Sequence, residues 1–143
     1  MIRKMNNNDV YSIERLETKV LNNSLGVSFL DQEINLNPFA YYIVYELNGN
    51  IVGYLGTRIY DDSCEVLNFL VDNNFQGQGI GQSLFNYLLE ELNKRLVKTI
   101  NLEVRKSNKK AINFYYKNGF VKANIRKKYY DNNEDAYILI KEV

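Results

Sequence analysis

The chain has 143 residues, of which 45% are hydrophobic, a size and composition that fit a single domain of residues 1–143 with a buried core. With 18 basic and 17 acidic side chains its net charge is +1, which predicts no direct nucleic-acid partner and no membrane contact. The absence of histidine excludes Ser-His-Asp and Cys-His nucleophile systems and most zinc sites, and Cys64, the one cysteine, excludes an internal disulfide. We therefore expect a cytoplasmic protein without a metal.

The first half of the chain predicts one strand, two helices and a meander of three strands. A short strand at residues 2–5 precedes a helix capped by Asn8 or Asp9, whose apolar residues recur at helical spacing up to residue 21. A second helix is predicted over residues 29–36. Strands follow at residues 41–47, 51–60 and 64–71, and the Asn48-Gly49 pair favours a tight turn between the first two.

The second half predicts two helices alternating with strands. Leucines at helical spacing predict a helix over residues 79–96, and residues 98–105 alternate apolar with polar side chains, as a strand does. Ser107 or Asn108 caps a helix that runs to residue 117 and stops at Gly119. Strands at residues 120–127 and 136–143 flank a polar turn at residues 131–133. The order βααβββαβαββ indicates a mixed α/β fold and not a doubly wound sheet.

Charge divides unevenly between the halves. Residues 1–70 carry 5 basic and 9 acidic side chains, whereas residues 71–143 carry 13 basic and 8 acidic ones. The basic excess favours an anionic ligand in the second half, although an ordinary solvated surface has the same composition.

A glycine-rich loop opens the helix predicted over residues 79–96. The loop consists of Gln76, Gly77, Gln78, Gly79, Ile80 and Gly81. Free N–H groups at a helix start bind phosphate oxygens, so the predicted ligand is a pyrophosphate; a plain tight turn is the alternative. The spacing is neither the GxGxxG of dinucleotide-binding proteins nor a Walker A loop, which disfavours NAD and ATP.

This loop resembles the Q/R-x-x-G-x-G/A loop of the GNAT-family acetyltransferases. Residues 102–108, 111–112 and 115–120 resemble the second half of the same fold in order and spacing, and residues 125–136 are similar to the end of the RimI-type ribosomal-protein-alanine N-acetyltransferases. The resemblance implies the GNAT fold, with a central mixed, mostly antiparallel sheet of six to seven strands and helices on both faces.

The resemblance also implies acetyl-CoA as cosubstrate. The backbone of Phe69, Leu70 and Val71 is expected to pair with the pantetheine arm, and the glycine-rich loop is expected to bind the pyrophosphate. Asn108 is expected to contact CoA, unless it is only a helix cap. These enzymes often carry arginine where this chain has Gly77, so we expect weaker CoA affinity.

Glu103 and Tyr115 are the expected acid-base pair. The RimI-type counterpart of Glu103 is the general base, and Tyr115, seven residues beyond Asn108 on the same helical face, is expected to protonate the departing thiolate; Tyr116 is expected in the core. A carboxylate of pKa about 4.3 suits an α-amine of pKa about 8 better than a lysine of about 10.4. Because Cys64 lies within a strand, direct attack is preferred over an acetyl-enzyme.

Tyr129, Tyr130 and Glu134 are expected at the substrate end, unless they serve hairpin packing alone. The predicted acceptor is the N-terminal alanine of the small-subunit ribosomal protein numbered eighteen. Acetylation of a polyamine, an aminoglycoside or an amino acid is one alternative, and a non-catalytic CoA-binding or ribosome-associated module is the other. The sequence predicts no oligomeric state.

Overall fold

The computed structural model describes residues 1–130 and 132–143, so Asp131 of the predicted polar turn lies outside the described residues. The order βααβββαβαββ is confirmed, with 3-10 turns at Asn7–Asp9 and Asn73–Phe75. The helices are α1 (Val10–Leu21), α2 (Val27–Leu36), α3 (Ile80–Lys94) and α4 (Lys109–Lys117). The strands are β1 (Ile2–Lys4), β2 (Ala40–Leu47), β3 (Asn50–Tyr60), β4 (Ser63–Val71), β5 (Thr99–Arg105), β6 (Val121–Arg126) and β7 (Ala136–Glu142). No helix among the described residues is long and apolar enough to cross a membrane.

The seven strands form one mixed sheet in the order β1-β2-β3-β4-β5-β7-β6, as the predicted fold requires. Neighbouring strands are antiparallel except β4 and β5, which run parallel. The parallel pairing covers only residues 63–66 of β4 and residues 99–102 of β5. Both strands continue beyond that point, so they diverge and leave an opening in the middle of the sheet.

A bulge in β4 lies at the start of this opening. Thr57 of β3 pairs with Val66, and its neighbour Gly56 pairs with Asn68, which leaves Leu67 as the extra residue. A bulge bends its strand and increases the local twist. The bulge therefore accompanies the separation of β4 from β5.

Two apolar clusters cover the two faces of the sheet. On one face the leucines of α3 and residues of α4 pack on Ile100, Leu102 and Val104 of β5. On the other face α1 and α2 pack on β2, β3 and the end of β4, around Tyr54 and Leu70. Each large apolar side chain buried in these clusters contributes about 1.5–3 kcal/mol relative to exposure.

The turns and caps follow the sequence with one correction. Asn48 and Gly49 have φ of 51° and 80°, as the predicted tight hairpin turn requires. Asp9 occupies the N-cap position of α1, as predicted, but its side chain makes no cap hydrogen bond to this helix. The Asn6 side chain instead accepts the Asn8 N–H at 2.9 Å, and the Asp9 carboxylate accepts the Asn6 N–H at 2.8 Å, a capping box around the 3-10 turn.

Candidate active site

A cavity of about 540 Å³ lies between the end of β4, the glycine-rich loop and α4. Most of the residues predicted to bind the cosubstrate line it, and Gln78 does not. The predicted residues in the lining are Phe69, Leu70, Val71, Gln76, Gly77, Gly79, Ile80, Gly81, Asn108 and Tyr115. The remaining lining residues are Val20, Leu21, Phe75, Gln82, Lys110, Ala111, Phe114 and Lys117. Most of these were missed from the sequence, although the spacing of Asn108, Ala111 and Tyr115 marks one face of a helix.

Aromatic rings form the inner wall of the cavity around Tyr115. The centre of the Phe69 ring lies 5.5 Å from that of Phe114 and 6.4 Å from that of Tyr115. The ring of Phe120, which does not line the cavity, lies 5.2 Å from that of Tyr115. Tyr115 is buried, and this burial raises the pKa of its hydroxyl well above the usual value near 10. No described residue hydrogen-bonds this hydroxyl, Tyr115 lines the cavity, and the raised pKa keeps the hydroxyl protonated at neutral pH.

The helical face of α4 corrects one expectation. Tyr115 is 7% exposed, whereas Tyr116 is 43% exposed, so the prediction that Tyr116 belongs to the core is wrong. Ile112 and Tyr115, three residues apart, are the buried residues of α4. Tyr116 is displaced by one residue from that face, which accounts for its exposure.

The glycine-rich loop has the backbone of an anion-binding loop. Gly77 and Gly79 have φ of 79° and 81°, in the left-handed region that glycine adopts without strain. Gly79 is the N-cap of α3 and supplies no side chain, so the first N–H groups of this helix are not capped. Such groups, at the positive end of the helix dipole, bind phosphate oxygens.

Lys110 brings a cation to the same loop. Its ammonium donates to the Gln76 Oε1 at 2.5 Å, while the Gln76 Nε2 donates to the Val71 carbonyl at 3.1 Å. The resemblance implies an arginine at the position of Gly77 in many relatives, and here a lysine from α4 contacts the loop.

Asn108 both caps α4 and lines the cavity. Its side-chain oxygen accepts the Ala111 N–H at 3.2 Å, which is the helix-cap role considered for it from the sequence. Its amide nitrogen is not used in this cap.

Glu103 lies on the other face of β5, away from the cavity. The predicted alternation of this strand is confirmed, since Leu102 and Val104 are buried against α3 and α4 while Glu103 is exposed. The Glu103 Oε1 accepts a hydrogen bond from Arg126 at 2.5 Å, and the Arg126 guanidinium lies 4.5 Å from the centre of the Tyr129 ring. The Glu103 carboxylate raises the pKa of Tyr129 by hydrogen bonding and by its charge.

The predicted substrate-end residues gather around Glu103. The rings of Tyr129 and Tyr130 meet edge to face at 5.1 Å, and the Arg105 guanidinium lies 3.9 Å from the centre of the Tyr130 ring. Arg105 also contacts the Glu134 carboxylate at 3.5 Å. We name this group the hairpin cluster: Glu103, Arg105, Arg126, Tyr129, Tyr130 and Glu134.

The structure therefore separates the two residues of the expected acid-base pair. Tyr115 lines the cavity on the α3 and α4 face, and Glu103 belongs to the hairpin cluster on the α1 and α2 face. The opening between β4 and β5 begins after Leu102, immediately before Glu103. A reaction that uses both residues has to take place across this opening.

Sequence comparison identifies the family. The acetyltransferase (GNAT) family model matches residues 7–120. The chain belongs to the GNAT acetyltransferase family. Ribosomal protein bS18-alanine N-acetyltransferase of Escherichia coli (strain K12) is 41% identical over 103 residues, which cover 68% of this chain and 70% of that protein.

Solved structures agree with this assignment. The ribosomal-protein-S18-alanine N-acetyltransferase from Escherichia coli matches with a TM-score of 0.92 at 29% identity, over 100% of this chain and 93% of that chain. The PaiA N-acetyltransferase from Thermoplasma acidophilum, in complex with coenzyme A, has a TM-score of 0.86 at 18% identity over 100% and 98% of the two chains, which shows the shared fold.

These findings confirm the predicted family, the fold and the cosubstrate. The protein is an acetyl-CoA-dependent N-acetyltransferase of the RimI-like group. The site fits this cosubstrate, because the cavity combines uncapped helix N–H groups and a lysine with an apolar aromatic wall. An anionic pyrophosphate suits the helix N–H groups and the lysine, and an uncharged pantetheine arm suits the aromatic wall.

Proposed function

We propose that this GNAT enzyme acetylates the α-amine of a protein N-terminus, the alanine of ribosomal protein bS18, by direct attack of the amine on the thioester. The observation that carries the proposal is the position of Glu103, a carboxylate at the opening of the sheet, with the aromatic and charged hairpin cluster around it. The name of the Escherichia coli relative supports the same acceptor.

The cosubstrate is expected to occupy the cavity. Beyond the bulge, Phe69, Leu70 and Val71 pair with β3 on one edge of β4, and their other edge faces the opening where β5 has separated. Backbone groups on that edge are available to the amide groups of pantetheine. The loop of residues 76–81 binds the pyrophosphate, and Lys110 adds the positive charge that Gly77 does not supply.

The proton transfers follow from the placement of Glu103 and Tyr115. Acetyl-CoA supplies an activated acyl group. The amine nitrogen forms a bond to the acetyl carbon as the carbon–sulfur bond breaks, Glu103 accepts the proton that the nitrogen loses, directly or through a water, and Tyr115 donates its hydroxyl proton to the thiolate. Burial favours the protonated form of Tyr115, as a proton donor at neutral pH requires.

The charge beside Glu103 favours an amine that is already neutral. Arg126 keeps a positive charge next to the carboxylate, and a second cation at the same place is repelled. An α-amine of pKa about 8 is neutral in a substantial fraction at physiological pH, whereas a lysine of pKa about 10.4 is almost fully charged. The site therefore suits a protein N-terminus better than a lysine side chain.

The deciding experiment compares acceptors with the purified chain. The acceptors are a peptide that begins with alanine in the bS18 sequence, the same peptide with a blocked N-terminus and an added lysine, and spermidine. We expect acetylation of the free α-amine, located by fragmentation mass spectrometry, at a kcat/KM well above that of the other two. Faster turnover of spermidine would support a small-molecule enzyme, and the absence of transfer to all three would support a non-catalytic module.

A further inference from the structure

Glu17 of α1 is a fully buried carboxylate that no cation compensates among the described residues. Its Oε2 accepts hydrogen bonds from the Tyr54 hydroxyl and from the Asn68 Nδ2, the latter at 2.5 Å, and its Oε1 accepts the Leu25 N–H at 3.1 Å. Burying an ionised carboxylate is costly unless donors surround it. The donors here are all neutral groups, two from side chains and one from the backbone.

The contact with Glu17 fixes the orientation of the Asn68 amide. A carboxylate only accepts hydrogen bonds, so Asn68 has to present its nitrogen to Glu17 and its oxygen away from it. Among residues 1–130 and 132–143 no donor reaches the Asn68 Oδ1, and the residue is only partly buried. The Asn68 Oδ1 is thus a hydrogen-bond acceptor with a fixed orientation and no donor among the described residues.

Asn68 and Glu103 border the same opening from two strands. Asn68 directly follows the bulged Leu67 at the point where β4 leaves β5, and Glu103 directly follows the last paired residue of β5. Asn68 contacts α1, and Glu103 is on the face of β5 opposite Leu102, so both side chains are on the α1 and α2 face of the sheet. The proposed acceptor amine has to pass between them.

We propose that the Asn68 Oδ1 accepts a hydrogen bond from the attacking amine, and that Glu17 acts as a positioning residue that aims this oxygen at the amine. A neutral primary amine has one N–H for Asn68 and another for Glu103, so its lone pair points away from both and is free for the acetyl carbon. This inference rests on the proposed function, because it assigns the acceptor side of the same site.

The first test replaces Asn68 by alanine. Loss of one hydrogen bond lowers kcat/KM for the acceptor by about tenfold, mainly through a higher acceptor KM. The KM for acetyl-CoA stays at the wild-type value, which a general loss of structure would not allow. An unchanged acceptor KM in a folded Asn68→Ala protein, or an equal rise in both KM values, overturns the proposal.

The second test uses Glu17→Gln to reverse the orientation of the Asn68 side-chain amide. In Glu17→Gln the one remaining side-chain oxygen is needed by the Leu25 N–H, so the new nitrogen faces Asn68. Asn68 then turns its oxygen toward this nitrogen and presents its own nitrogen to the amine. We expect a loss similar to that of Asn68→Ala. Adding Asn68→Asp to Glu17→Gln restores an oxygen on both sides, so the double variant recovers acceptor turnover, whereas a failure to recover in a folded double variant contradicts the role of Glu17.

A matched control comes from Glu33, the second buried glutamate. It accepts from the Tyr42 hydroxyl at 3.0 Å and from Arg58 at 2.9 Å, between α2 and the strands β2 and β3, and it does not line the cavity. Glu33→Gln is expected to lower thermal stability without changing either KM. A raised acceptor KM in this variant would show that the Glu17 effect is only structural.

The KM and kcat/KM of each variant, relative to the wild type, are measured with the alanine peptide and with spermidine. If the wild type acetylates spermidine alone, the peptide acceptor is refuted. The change in spermidine KM and kcat/KM caused by Asn68→Ala would still decide this inference, because Asn68 is proposed to bind the amine itself. Absence of transfer to both acceptors would refute both proposals.

Discussion

The α4 side of the cavity and the hairpin cluster lie on opposite faces of β5, and they are built from different kinds of chemical groups. The cavity is made of backbone N–H groups, glycines and aromatic rings from two continuous segments, residues 69–82 and 108–117, with Val20 and Leu21 of α1. The hairpin cluster is made of half-exposed ion pairs and cation–ring contacts, such as Arg126 with Glu103 and Tyr129. The cavity suits a cosubstrate of one fixed structure, and the hairpin cluster, in which Arg126 pairs with Glu103, suits the neutral amine proposed above.

The largest expected effect tests whether the two faces share one reaction. Glu103→Gln and Tyr115→Phe should each lower kcat by about 100-fold or more, since a general acid or base contributes roughly 10²–10⁴. Neither change removes more than one polar atom or charge, so both proteins should fold. Single-turnover transfer to the alanine peptide measures the effect.

The two variants should differ in their side effects. Tyr115→Phe keeps the aromatic wall of the cavity, so the KM for acetyl-CoA should stay near wild type. Glu103→Gln releases Arg126, so the KM for the peptide should change while that for acetyl-CoA does not. If either variant transfers acetyl at the wild-type rate, the acid-base assignment is wrong.

Sequence patterns predicted the cavity better than the acceptor side, for a physical reason. The glycine-rich loop and the Asn108 cap are local, because each works through neighbouring backbone groups. The contact of Glu17 with Asn68 joins residues 51 positions apart and depends on a bulge that no sequence pattern marks. Whether Tyr115 or Tyr116 is buried depends on the rotation of α4 against the sheet, which two adjacent tyrosines do not specify.

The pH dependence of kcat/KM tests the roles assigned to the two faces of the sheet, the acceptor amine on one and Tyr115 on the other. The neutral fraction of an α-amine increases about tenfold per pH unit below its pKa near 8, so kcat/KM for the peptide should rise with pH and level off there. Burial raises the pKa of Tyr115, so its proton remains in place and no alkaline fall should occur below pH about 10. A descending limb near pH 8–9 would contradict the protonated Tyr115.

Substitution of Gly79 tests whether the backbone conformation of the glycine-rich loop matters for binding acetyl-CoA. A side chain at Gly79 has free space, but φ of 81° makes it strained, so Gly79→Ala should distort the loop at a cost of about 1 kcal/mol. We expect the KM for acetyl-CoA to rise about fivefold, which corresponds to that energy, without a change in the peptide KM. Gly49→Ala is the matched control, because Gly49 has φ of 80°, equal free space and a place in the hairpin turn away from the cavity. An equal rise in the control would show that the effect comes from stability alone.

Cys64 should give the smallest effect, because direct attack requires no thiol on either face. Its side chain is fully buried in β4, and burial raises the pKa of the thiol to about 12, so it remains protonated during turnover. The native protein should resist iodoacetamide, and Cys64→Ala should keep the wild-type kcat while losing about 1–2 kcal/mol of stability from the cavity it leaves. Intact-mass measurement with acetyl-CoA and no acceptor provides the decisive comparison. The informative outcome is an acetyl adduct that forms on the wild type but not on Cys64→Ala and that disappears when the peptide is added. Such an adduct would mean that the acetyl group is first transferred to Cys64, and that the amine does not attack the thioester of acetyl-CoA directly.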